Sequence, residues 1–251
     1  MVNDSTLPTS PDWPTRWPTD SFSSVAAWLT ALVIAAVLAA AFVAGLHGGT
    51  LPTRGINPDM LDVAIALQFV LEGVLVAGIL AALPSFAKFS LRELGMQLPS
   101  VQALTIAAGG AIVMALVADG GASLIDALAH TKHQQEAVEV FKALHDRTTI
   151  AIFAAFAVLF APFAEETIFR LFFFNFGLRY GGFWAGAIPS SLLFGFAHGD
   201  LYEAIPLALG GLVLCYVYYR TRNAVAPMIS HALFNALSIV ALLAFPQLAS
   251  P

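Results

Sequence analysis

Long apolar runs broken by short polar clusters set the pattern of this chain. Val25–Leu46 carries no charge, Val63–Leu83 is interrupted by Gln68 and Glu72, and Val101–Ala118 contains the pair Gly109-Gly110. Each is near the ~20 residues a helix needs to cross the hydrocarbon core of a bilayer. In the polar stretch Asp119–Arg147, Leu124 and Leu128, then Ala137, Phe141 and Leu144, recur at helical spacing. That spacing predicts an amphipathic helix lying at the membrane interface. Beyond it, Thr149–Ala164 runs straight into Glu165, Glu166 and Arg170 before Leu171–Leu178 resumes. Phe183–Ala197 ends at His198, Ala204–Tyr219 ends at Arg220, and Ala224–Phe245 contains His231 and Asn235. The pattern predicts an all-α, polytopic transmembrane helix bundle of seven spans, or eight if residues 165–178 form a separate helix or re-entrant piece.

Composition agrees. Hydrophobic residues make up 59% of the 251 and charged residues 11%, against about 25% charged in soluble domains. A globular core of this size could not hide so much apolar surface, so the bilayer is the expected surrounding and the chain reads as an integral, multi-pass membrane protein. A net charge of −5 gives no reason to expect a nucleic-acid partner. The single cysteine, Cys215, rules out an internal disulfide and any multi-cysteine metal site. Residues 1–24 carry Asp4, Asp12 and Asp20 against Arg16, with prolines at 8, 11, 14 and 18. They lack the basic start of a signal peptide and read as a disordered tail before a retained anchor. The expected organisation is a tail at 1–24, N-terminal transmembrane helices at 25–118, an extramembrane amphipathic segment at 119–147 and a catalytic transmembrane core at 148–247.

Lysine and arginine placement orients the bundle. With seven spans and the N-terminus inside, Arg16, Lys88, Arg92, Arg179, Arg220 and Arg222 fall on the cytoplasmic side, and Arg54, Lys132, Lys142 and Arg147 opposite. This puts the N-terminus in the cytoplasm, with the plasma membrane as the expected location.

Ionisable groups inside a bilayer are costly and usually mark function. Three clusters stand out in consecutive apolar segments, about 33 residues apart: Glu165-Glu166-x-x-x-Arg170, Phe194-x-x-x-His198 and His231-x-x-x-Asn235. Four residues apart on a helix means one shared face, so Glu166 pairs with Arg170, Phe194 packs one turn below His198, and His231 aligns with Asn235. Glu165 points about 100° away from Glu166, toward neighbouring imidazoles. Each motif alone has an ordinary structural use: an ion pair, a polar helix contact, an asparagine joining helices. Their joint occurrence points to water-activated acyl hydrolysis. A carboxylate in an apolar pocket is a competent general base, an imidazole positions water or protonates a leaving amine, and a carboxamide N–H steadies an oxyanion. Two histidines and a glutamate (Glu165, His198, His231) are also the ligand types of a catalytic zinc, and the residues leave the metal-free and zinc-assisted versions open. Outside these clusters, His130-x-x-His133 lies in the polar stretch, where a solvated face is expected, and His47 sits at a span end. Glu72, mid-span beside Gly73, is either a proton-relay group or an ion-pair partner for Arg170.

The three motifs, as E-E-T-I-F-R at 165–170, F-G-F-A-H at 194–198 and H-A-L-F-N at 231–235, with Pro227 before the last histidine, resemble the CAAX-protease and bacteriocin-processing family of intramembrane proteases. That family includes the Ras-converting prenyl-protein endopeptidase. The resemblance covers roughly residues 148–245. It implies that Glu165 activates water, that Glu166 and Arg170 support it, that His198 and His231 assist or bind a metal, and that Asn235 stabilises the oxyanion. The implied partner is a membrane-anchored or prenylated protein substrate; oligomeric state is not legible in the sequence. Two other classes share the same residues. One is a proton- or ion-coupled transporter, disfavoured by clustering of the polar groups in one half and by the lack of an inverted repeat. The other is a non-catalytic immunity or scaffold protein.

Overall fold

The computed structural model describes Thr30 and residues 58–87, 90–130, 136–144 and 146–245. The expected tail, nearly all of the Val25–Leu46 span, His47 and His133 lie outside the described residues. Within them every regular element is helical: α1 (Pro58–Ala87), α2 (Val101–Ala129), α3 (Glu136–Ala143), α4 (Arg147–Ala155), α5 (Ala161–Glu166), α6 (Asn175–Phe196), α7 (Leu201–Thr221) and α8 (Val225–Ala244). Two π-helical stretches, Phe156–Phe160 and Thr167–Phe174, join α4 to α5 and α5 to α6 without a break. Residues 165–178 are therefore continuous with the helix that precedes them rather than a separate helix.

Among the described residues, four helices are long and apolar enough to cross a membrane: Val101–Leu128, Arg147–Phe196, Tyr202–Thr221 and Val225–Ala244. The seven-to-eight-span expectation thus holds only in its all-helical, membrane-spanning part. The second of these helices is folded back on itself. Gly181 and Gly182 leave helical geometry, Gly182 at φ 71°, a left-handed conformation that glycine adopts without strain. After the bend the two arms touch through their backbones. A Cβ on Gly177 would lie 2.5 Å from the Ala185 carbonyl oxygen, and one on Gly186 equally close to that of Phe174. Without a hydrophobic drive between helices in lipid, such small-residue contacts are what packing has to work with.

α2 differs from its expected extent. It starts at Ser100, whose side chain accepts the Ala103 N–H, and runs past Asp119 to a left-handed cap at His130. The segment read as extramembrane amphipathic therefore begins as a continuation of this helix, and only the short α3 stands apart. α2 packs on α7 and α8 through the small residues Ala103, Ala107 and Ala226 with Val217. The largest core gathers the aromatics of the second π stretch and α6 (Phe169, Phe172, Phe174, Phe194) around Tyr218 of α7.

α6 and α7 come closest at Gly195, inside the Phe-x-x-x-His motif, where a Cβ would fall on the Ala204 carbonyl oxygen. Backbone cannot yield there as a flexible side chain would. Gly195→Ala is expected to destabilise the chain by about 1–3 kcal/mol through overpacking, read as a lower thermal unfolding midpoint in detergent.

Candidate active site

Glu165 and Glu166 end α5, between the two π-helical stretches. Glu166 is fully buried. Its Oε1 accepts from Arg170 Nη1 at 2.8 Å and lies 3.1 Å from His231 Nδ1. Arg170, also fully buried, donates its Nη2 to the Gly211 carbonyl of α7 at 3.0 Å, and its guanidinium sits 4.5 Å from the centroid of the Phe194 ring. The cation is thus held by a carboxylate, a carbonyl and an aromatic face, a combination that offsets much of the cost of burying it.

His231 stands between the two acids. Its Nδ1 faces Glu166, and its Nε2 is 4.0 Å from Glu165 Oε2. A hydrogen bond from Nδ1–H to Glu166 fixes the tautomer, leaving Nε2 a lone pair. Glu165 keeps 22% side-chain exposure, and its Oε2 has no hydrogen-bond partner among the described residues. A water at ordinary hydrogen-bond distance from both Nε2 and Oε2 would subtend an angle of about 90°, close to what one water's two hydrogens can span.

Phe194 is the hub of the site. Its ring meets His198 at 5.1 Å and His231 at 5.7 Å, both edge-on, as well as Arg170. His198, one turn on, has its Nδ1 2.9 Å from the Phe194 carbonyl oxygen and forms no ion pair with either glutamate among the described residues. Asn235 donates to the Ala157 carbonyl of the first π stretch at 2.7 Å. The structure therefore joins Glu165, Glu166, Arg170 and His231 directly, sets His198 beside them through Phe194, and attaches Asn235 to the helix that carries the acids.

The three zinc ligand types do not gather as a set. Among the described residues no three His, Cys, Asp or Glu side chains are grouped to hold a metal. His231 already turns each nitrogen to a carboxylate, and His198 commits Nδ1 to its own helix.

One residue escaped the sequence reading. Asn175 is fully buried, and its Nδ2 lies within 3.2 Å of the Arg170 and Leu171 carbonyl oxygens and 2.8 Å from the Tyr218 hydroxyl. A carboxamide inside the apolar run Leu171–Leu178 was the available signal.

Residues 147–237 match the family described as Type II CAAX prenyl endopeptidase Rce1-like. That region contains all six expected site residues, so the family read from the three motifs is the family found. A 79-residue stretch is also 28% identical to "Putative membrane peptidase YdiL" of Bacillus subtilis (strain 168), covering 32% of this chain and 32% of that protein. The chain is thus matched over about a third of that relative's length. No solved structure matches. Taken with the apolar helices, the matches make this an integral membrane protein whose residues 147–237 are similar to a membrane-protease family.

Proposed function

We propose that the chain is an intramembrane endopeptidase acting on membrane-anchored or prenylated, CAAX-type proteins. The observation that carries this reading is the placement of His231 between Glu166 and Glu165, with one nitrogen oriented by a buried carboxylate and the other facing Oε2 of a partly exposed glutamate. A water hydrogen-bonded to Glu165 and His231 Nε2 would present its oxygen to a substrate carbonyl. As the carbon–oxygen bond forms, Glu165 takes the water's proton. When the carbon–nitrogen bond breaks, that proton passes to the departing amine, leaving a carboxylic acid and an amine. Arg170 neutralises Glu166, so that Glu166 can orient the imidazole without adding an unpaired charge to the site. His198, anchored through Nδ1, offers Nε2 on the far edge of Phe194 as a second polar group for the leaving amine.

The test is direct. The full chain in liposomes is given a peptide bearing a farnesylated cysteine three residues from its C-terminus, alongside the same peptide without the lipid. Release of the C-terminal tripeptide from the lipidated peptide, lost in His231→Ala, is the expected result. Flux driven by a pH gradient with neither peptide cut would overturn the reading in favour of transport.

A further inference from the structure

We propose that Asn235 and Asn175 are positioning residues: Asn235 supplies the hydrogen bond that the first π-helical turn leaves unmade, Asn175 adds side-chain hydrogen bonds to carbonyls of the second, and together they set the aim of Glu165 and Glu166. The proposal rests on the peptidase reading for its kinetic consequence but not for its structural one.

The first half follows from a proline. In an α-helix the Ala157 carbonyl would accept the N–H of Ala161, and in a π-helix that of residue 162. Ala161 donates to Phe156 instead, and residue 162 is proline, which has no N–H. Ala157 therefore has no donor within its own helix by either pattern. The Asn235 amide, reaching across from α8, fills the gap at 2.7 Å. A buried carbonyl without a donor is unfavourable, so the first π stretch is paired with this side chain.

The second half has the same logic downstream. The Asn175 backbone N–H donates to Phe172, the residue that follows Arg170 and Leu171. The Asn175 side chain faces both of their carbonyls. Its own Oδ1 is buried without a partner among the described residues, while Nδ2 meets both carbonyls and the Tyr218 hydroxyl. One asparagine thus serves the helix before the two acids and another the helix after them.

The consequence is rotational. A π turn holds one residue more than an α turn, so collapse of either stretch to α geometry would turn the side chains beyond it by roughly 100° relative to those before it. Glu165 would lose its place opposite His231 Nε2. The family likeness casts Asn235 as an oxyanion donor; here it acts through Glu165, on which the reaction depends.

The two roles separate by rescue. Asn235→Ala is expected to lower kcat by about 10²-fold, the scale of a small misplacement of reacting groups, with KM little changed, and to speed amide exchange across residues 156–166. Adding Pro162→Ala gives residue 162 an N–H that can reach Ala157, so the double variant should regain most of the exchange protection and part of kcat. An oxyanion donor cannot be replaced in this way: exchange unchanged by Asn235→Ala, or a double variant no better than the single in either measurement, overturns the proposal. The exchange readout holds whether or not the peptide is cleaved, so failure of the peptidase reading would show as an inactive wild type with the exchange pattern intact. For Asn175, Asn175→Leu should speed exchange across 167–176; if that variant does not fold, Asn175→Asp, which keeps size but removes the donor, serves in its place, and exchange equal to wild type in a folded variant would overturn this half.

Discussion

Glu165→Gln is expected to lower kcat by about 10²–10⁴-fold, the usual contribution of a general base, while the thermal unfolding midpoint stays within a few degrees of wild type. The substitution keeps size and shape and removes only the basic oxygen. Stability should not suffer, because Glu165 Oε2 has no hydrogen-bond partner to strand among the described residues and stands 4.0 Å from the nearest imidazole nitrogen. Single-turnover cleavage of a lipidated peptide gives the rate, and a melt in detergent gives the stability. A glutamine variant that keeps more than a tenth of wild-type kcat would remove Glu165 from the role of base.

Arg170→Met should do the opposite, damaging the fold before the chemistry. Breaking a buried ion pair by removing one partner costs about 3–5 kcal/mol, because the other charge is left uncompensated. Here Glu166 would retain only His231 at 3.1 Å, and the Gly211 carbonyl would lose its donor. The double variant Glu166→Gln/Arg170→Met removes both charges and should cost clearly less than the two single changes added together, a coupling that a double-mutant cycle measures. Additive losses would mean that the pair is worth little, contrary to its complete burial. The peptidase rate in Arg170→Met should fall as well, since His231 is oriented through Glu166.

Several of these contacts were legible in the sequence. The spacing of Glu166 and Arg170 gave their ion pair, and that of Phe194 and His198 gave the ring contact, because both depend only on helical periodicity. The break between Leu178 and Phe183 was visible as Arg179-Tyr180-Gly181-Gly182, and the chain turns there. Two other features depend on information that periodicity does not carry. Asp119-Gly120-Gly121 looked like the end of a span, yet α2 continues through it, since the polarity of a few residues does not by itself end a helix. The π stretches could not be seen because pattern reading assumes 3.6 residues per turn throughout. Nor could periodicity show that the amide of Asn235, on the face it shares with His231, reaches the Ala157 carbonyl. Asn175 and its bonds to carbonyls four and five residues back belong to the same blind spot.

The short segment between α1 and α2 is fastened to the turn between α7 and α8. Tyr218 donates to the Leu94 carbonyl at 2.7 Å, Ala224 N–H to that of Gly95 at 2.9 Å and Asn223 Nδ2 to that of Gln97 at 3.0 Å. Asn223 Oδ1 also accepts the first free N–H groups of α8, from Val225 and Ala226, two turns before His231. Rim and imidazole therefore share one short lever arm. A displacement of residues 90–97 would therefore be passed on to the helix that carries the histidine, a mechanical route to the site that does not pass through the substrate.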